Sequence, residues 1–350
     1  MPSHTSPSPP KILLFGSGAV GTIYLWLLSK VSRPTAVCRS NYSVAKDHGF
    51  VIHSAIFGRD IRFNPEVVRS CEEAVGLGSD GSSIANAAAC PTATATPSAT
   101  PSPSEPFDYV IVCSKAIPDT IPSLIAPAIT SRHTVIVLVQ NGVGIEAEYR
   151  AAFPLNPIVS AVVYLPATQR PAGVISHGEI ERLEVGAYPA SAESRHARAF
   201  AELVQAAGGT ALFCHDVQMN RWVKLLVNAS WNPICALSRS KDTAVLQSCD
   251  EATDVVRAVM HEICAVAASQ GYEVSAEEAE FQLGRAQARI PIQAGIEPSM
   301  LQDVQGGRRL EVEAIVGNVV RMGREKGVPC VRLEMLYVLA KTLDGWIAGA

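Results

Sequence analysis

At 350 residues the chain exceeds the size at which one hydrophobic core keeps growing, so two packed domains are expected. Hydrophobic residues make up 48%, charged residues 18% and the net charge is -4, a balance without an electrostatic footprint for nucleic acid or an anionic membrane surface. No run approaches the roughly 18 apolar residues that a membrane span needs, and nine scattered cysteines without a Cys-x-x-Cys pair point to reduced thiols in a cytoplasmic protein rather than to disulfides or a metal site.

In chain order, residues 1–10 are polar and proline-rich and read as a disordered tail. Ile12 to Phe15 is a short apolar strand, followed by a glycine-rich turn and a buried helix carrying Ile23, Leu25, Trp26, Leu27 and Leu28. Thr35 to Cys38 reads as a second strand, Ser40 as the cap of a short helix ending at Gly49, and Phe50 to Phe63 as a hairpin around Phe57 and Gly58. From about Ser70 to Pro106 the composition collapses into Ser, Ala, Thr, Pro and Gly, which predicts a flexible surface insertion.

Tyr109 to Cys113 and Thr134 to Val139 are unbroken β-branched runs of the kind found in parallel strands covered on both faces. Val159 to Leu165, Gly173 to Ser176 and Arg182 to Gly186 add strands, antiparallel at one edge, and Ala192 to Ala207 an amphipathic helix. After Cys214 only helical spacing remains, as in Val255, Val259, Ile263 and Val266, and again in Leu310, Ala314, Ile315, Val319 and Met322. The fold class is therefore α/β: a Rossmann-type domain over residues 11–214 with its insertion at about 70–106, then an all-α domain over 215–350.

Gly16-Ser17-Gly18-Ala19-Val20-Gly21 matches G-x-G-x-x-G directly after a strand and at the opening of a helix. There the first glycine allows the tight turn, the second lets the backbone approach a pyrophosphate, and the third lets helix pack on strand, which marks a dinucleotide site. Enzymes that bind NAD hold the ribose with an acidic residue about 20 positions on. Arg39 stands there instead, and a guanidinium suits a 2′-phosphate, so NADP(H) is expected; the alternative is a solvated surface charge.

Lys224, Asn228 and Asn232 recur every fourth residue among Trp222, Leu225, Leu226, Val227 and Trp231. On a helix they lie within about 80 degrees of one another, a polar stripe on an otherwise buried element. Each alone could be structural, the lysine snorkelling and either asparagine capping a turn; together they suggest a ligand surface. Glu311, beside Ile315 and Met322, is costly on an apolar face unless paired, and Lys224 is the expected partner.

These residues resemble the ketopantoate reductase family over nearly the whole chain. Besides the Gly16 loop, they include Val139 to Gly144 with its central Asn141-Gly142, the run from Lys224 to Pro233, Ser299 to Asp303, Glu311, and the run from Gly323 to Pro329. The resemblance implies NADPH-dependent reduction of a small-molecule 2-oxo acid, 2-dehydropantoate foremost. It makes Lys224 the general acid and Glu311 its acidic companion, and it assigns Asn141, Asn228, Asn232 and Ser299 to the substrate. Lys115 and Asn141 fall on the cofactor side of the cleft. A lysine of ordinary pKa, about 10.4, is already charged at neutral pH, so no large shift is required for it to act as an acid. Where the family commonly has an asparagine and a serine, this chain has Ile296 and Pro298, which implies a pocket for a less polar ligand.

Three other readings compete. A related reductase acting on another 2-oxo acid or ketone would keep the same core. A dehydrogenase with a histidine base would need an acidic partner for His133, His177 or His215, which the sequence does not place and which read as surface residues. A non-catalytic NADP(H) sensor could discard Lys224 and Glu311, yet both are present. A homodimer is a further candidate assembly.

Overall fold

The computed structural model describes residues 8–76 and 105–349. Twelve strands are found among them: β1 Lys11–Phe15, β2 Arg33–Val37, β3 Phe50–Ser54, β4 Gly58–Phe63, β5 Glu66–Val68, β6 Tyr109–Val112, β7 Val135–Leu138, β8 Ile158–Tyr164, β9 Ala167–Gln169, β10 Val174–His177, β11 Arg182–Tyr188 and β12 Ala211–Phe213. Eight form one sheet in the order β12-β11-β8-β7-β6-β1-β2-β5. Its strands run parallel except where β8 meets β11. From β1 the chain first builds outward through β2 and β5 and later resumes on the other side with β6, so a topological switch point lies at the carboxyl end of β1, where open α/β sheets bind ligands.

Helices α1 Ala19–Leu28, α2 Tyr42–His48, α3 Cys71–Ala74, α4 Ile121–Ile125, α5 Glu146–Ala152 and α6 Arg195–Ala206 accompany these strands. Side chains alternate across the sheet, so Leu14 packs with Ile23, Leu27, Phe200 and Val204 on one face, while Leu13 packs with Val110, Ile121 and Tyr149 on the other. Burial on both faces is why β1, β6 and β7 read as continuous apolar runs.

Only helices follow β12: α7 Val217–Ser238, α8 Asp242–Leu246, α9 Ala252–Ser269, α10 Ala276–Gln287, α11 Ser299–Gln305, α12 Asn318–Glu325 and α13 Val331–Gly349, with a π-helical turn at Glu313–Gly317 leading into α12. The 22-residue α7 is the axis of this half, packed against α9, α11 and α13, and it buries Trp222, Leu225, Leu226 and Trp231 in a core shared with Val259, Ile263 and Val316. No helix among the described residues is long and apolar enough to cross a membrane.

Several expectations need correction. Pro9 and Pro10, expected in a disordered tail, are placed against β2, where their carbonyls accept hydrogen bonds from Arg33; residues 1–7 of that expected tail lie outside the described residues. Ser70, expected at the start of a flexible insertion, instead caps α3, its hydroxyl accepting from the Glu73 N–H; residues 77–104 of that expected insertion lie outside the described residues. Asn41 rather than Ser40 precedes α2. The strand at Val174 leaves the main sheet and joins a second one of order β4-β3-β10-β9, because an apolar alternation says that one face is covered but not by which sheet. In α9 the buried position is Val256, and Val255 is exposed. Two histidines also differ from expectation. His177 is buried against the Ser54 hydroxyl and the Ile180 carbonyl, and His133 does have an acidic partner, Asp108, at 3.2 Å. Both His133 and Asp108 precede their strands, at the end of the sheet opposite Gly16, so the pair is not placed to act on a ligand at the switch point.

Candidate active site

The turn from β1 into α1 is shaped by its glycines. Gly16 has φ +105°, and a Cβ there would lie 2.3 Å from the Ser114 nitrogen; one at Gly21 would lie 2.4 Å from the Gly16 oxygen. A Cβ at Gly18 would meet nothing within 4 Å, so the middle glycine alone borders open space. No side chain caps α1, which leaves its first N–H groups and its positive dipole end directed at that space. Gly18, Ala19, Val20 and Gly21 thus fit a pyrophosphate. Ser17 does not contribute its hydroxyl: that group donates to the Val37 carbonyl, and the side chain is buried, so Ser17 ties the loop to β2. Asn41, which sequence reasoning passed over, donates to the Ser17 carbonyl and to Gln169, bracing the same turn. Arg39 follows β2, is exposed, and has no ion pair or side-chain hydrogen bond among the described residues, which leaves its guanidinium available to a ligand.

On the other side of the switch point, the carboxyl end of β7 runs into Asn141, and α7 brings Lys224 against it. The Lys224 ammonium donates to Asn141 Oδ1 at 2.9 Å and to the Val163 carbonyl at 2.5 Å, and it lies 5.5 Å from the centre of the Tyr164 ring. The expected Lys224–Glu311 ion pair is not made. Asn141 accepts from the lysine, while Glu311 Oε1 accepts from the Ala116 N–H at 3.0 Å. Burial pushes the Glu311 carboxyl above its usual range, against the opposing pull of that N–H and of Lys115.

The lysine is not ordinary either. Burial, and next the neighbouring Arg221 charge, lower its pKa to about 7, with Glu311 and Glu184 pulling the other way. The expectation of an unshifted ammonium is thereby overturned: sequence shows the stripe on α7, but not the desolvation produced when β7 and β8 close over it. An acid poised near neutrality can both donate and recover a proton at little cost.

Asn228, one turn on, borders two spaces. One is the narrow pocket around Gln140, Asn141 and Lys224, and the other is a cavity of about 170 Å³ walled by Val227, Trp231, Ile296 and Pro298 and edged by Arg285 and Arg289. Asn232 and Ser299 lie at the same cavity, where Asn232 Oδ1 accepts from the Ser299 hydroxyl and the Met300 N–H. The Asn232 NH2 group and the Asn228 amide make no hydrogen bond among the described residues. Ile296 is held there by its backbone, since its N–H donates to the buried Asp242, itself paired with Arg289. Lys115 reaches across the cleft to Asp303 at 2.8 Å and to the Arg309 carbonyl, so its charge already links the two halves.

Residues 12–190 match the family described as ketopantoate reductase PanE/ApbA, and residues 216–344 match that family's C-terminal part. The chain belongs to the ketopantoate reductase family. As a member it is an NADP-dependent oxidoreductase that binds NAD(P)H. It is 29% identical to an uncharacterized protein of Saccharomyces cerevisiae over 94% of this chain and 92% of that one. Among solved structures it is similar to 2-dehydropantoate 2-reductase from Methylococcus capsulatus, with 32% identity, a TM-score of 0.76 and coverage of 97% and 98%. A ketopantoate reductase from Staphylococcus aureus, described as dimeric, shares the fold at 20% identity and a TM-score of 0.71, covering 96% and 99%.

Proposed function

We propose that this chain reduces a 2-oxo acid to the 2-hydroxy acid with NADPH, and that 2-dehydropantoate is the substrate to test first. The observation that carries the reading is the convergence of Lys224 and Asn141 beside the phosphate loop's end of the sheet, with the Asn228 amide and the Asn232 NH2 group, both without a hydrogen bond among the described residues, next to them. Gly16 to Gly21 would hold NADPH with Arg39 at its 2′-phosphate, and the bound cofactor would supply a hydride to the carbonyl carbon. Lys224 faces the oxygen on which negative charge builds, neutralises it and transfers its proton there, then recovers a proton from solvent. Asn141 aims the ammonium, Glu311 draws its positive charge from a distance, and Asn228, Asn232 and Ser299 orient the acid.

A second substrate reading rests on Ile296 and Pro298. They line the cavity beyond Asn228, where an apolar wall favours a 2-oxo acid with a bulkier, less polar side chain. NADPH oxidation measured across 2-dehydropantoate, branched and aromatic 2-oxo acids distinguishes the two. Silence across the panel despite tight NADPH binding would reject reduction altogether and revive a sensor role.

Two lesser proposals accompany this one. Val331, Met335, Val338, Leu339 and Trp346 are exposed along α13, an apolar stripe that suits a subunit interface in a homodimer. Cys38 and Cys235 are buried as free thiols, which suits the reducing cytoplasm.

A further inference from the structure

One turn before Lys224, α7 carries a second cation that none of the roles above uses. Arg221 is 3% exposed, and its guanidinium is shared among five groups. It donates to the carbonyls of Gln140 at 2.9 Å and Gly142 at 3.0 Å, the two residues flanking Asn141. It also donates to the Ala161 carbonyl at 3.2 Å and the Ser160 hydroxyl at 2.8 Å on β8, the strand that carries Val163, the lysine's other acceptor. Its counter-ion, Glu146 at the start of α5, lies 2.8 Å away and is fully buried.

A buried ion pair is a poor stabiliser compared with apolar side chains of the same size, so its presence asks for another explanation. The geometry offers one. Lysine could not meet all five groups, because only the planar fork of arginine reaches two carbonyls on one side and a strand on the other. We propose that Arg221 is a positioning residue for proton transfer: it clamps the Asn141 turn and β8 to the helix that bears Lys224, and its charge sets the field in which Lys224 gives up its proton. The groups facing Lys224 from the packed elements are Arg221 on its own helix, Glu184 on β11, Tyr164 on β8, the Asn141 amide after β7, and Glu311 before the π-helical turn. Of the one cation and two carboxylates in that set, Arg221 is the charge that adds to burial in holding the ammonium's proton affinity down.

This inference rests on Lys224 acting as the acid, and single-turnover NADPH oxidation against pH tests the two separately. If Lys224 donates the proton, the rate falls as pH rises through its pKa, and Lys224→Ala abolishes that limb together with most of the rate. Removing the charge of the buried pair with Arg221→Gln and Glu146→Gln together should move the limb up by on the order of one pH unit. Arg221→Lys keeps the charge and loses the fork, so its limb should stay in place while the plateau rate falls by about tenfold to a hundredfold. NADPH affinity should be unchanged in both, since neither residue is near the Gly16 turn. An unmoved limb in the folded double variant, or equal limbs for the double variant and Arg221→Lys, would overturn the electrostatic role. A wild-type plateau in Arg221→Lys would overturn the clamp, and this variant decides alone if the double variant does not fold.

Discussion

Replacing Lys224 with alanine separates the chemistry from the fold. The side chain satisfies two acceptors, Asn141 Oδ1 and the Val163 carbonyl, and its loss leaves both without a donor in a half-buried pocket. Each such group costs about 1–3 kcal/mol when no water replaces the partner, and the pocket opened by truncation can admit water, so the stability loss should stay near the low end. It is also offset, because the variant no longer buries a charge beside Arg221. The effect on catalysis is larger: removing a positioned acid removes about a hundred- to ten-thousand-fold of rate. Single-turnover NADPH oxidation with the best substrate, alongside cofactor titration and a thermal melt, measures the three quantities independently. The expected outcome is rate loss in that range with a native-like melt and unchanged NADPH affinity. Turnover within tenfold of wild type would show that the proton comes from elsewhere, and the role of the lysine helix would have to be abandoned.

Three more outcomes are expected. Arg39→Asp should raise the Michaelis constant for NADPH at least tenfold more than that for NADH, because a 2′-phosphate would lose its cation and meet a carboxylate; parallel changes for both cofactors would remove Arg39 from the site. Ile296→Asn should shift kcat/KM toward 2-dehydropantoate and away from branched or aromatic 2-oxo acids by about 10- to 200-fold, and a specificity ratio that does not move would detach the cavity from the substrate. Gly142→Ala should destabilise the protein by about 1–3 kcal/mol and slow turnover, since φ is +96° and the new Cβ would lie 2.2 Å from the Ala314 oxygen. A melt and a rate equal to wild type would mean that the Asn141 turn tolerates displacement.

The parts of this protein legible from sequence are those whose physics is local. The β-branched runs at Tyr109 and Val135 could only be covered strands, the glycines of the first turn announce their spacing, and the stripe from Lys224 to Asn232 follows from helical geometry. What could not be read depends on residues far apart in the chain. Arg221 and Glu146 are 75 positions apart, and each looks like an ordinary charge until α7 lies against β7 and β8. One signal was present: Val217 and Leu225, one turn to either side of Arg221 on α7, are both apolar and buried. The same distance effect hid the hydrogen bond from Lys224 to Asn141 and the shift in the lysine's proton affinity. The inward turn of the Ser17 hydroxyl could not be read for a simpler reason: a motif specifies where the backbone goes and leaves the second residue free to turn inward.

The return of the chain at Glu105 has a consequence for how this architecture tolerates change. Glu105 forms a two-pronged pair with Arg33, and its carbonyl accepts from Lys11, so β6 sets out from a point anchored to the starts of β1 and β2. Those strand starts are the edge of the sheet remote from Gly16 and Asn141. Variation in the length or composition of residues 77–104 therefore ends at a mooring the reaction centre does not feel, and relatives could gain or shed such a stretch while their chemistry stays intact.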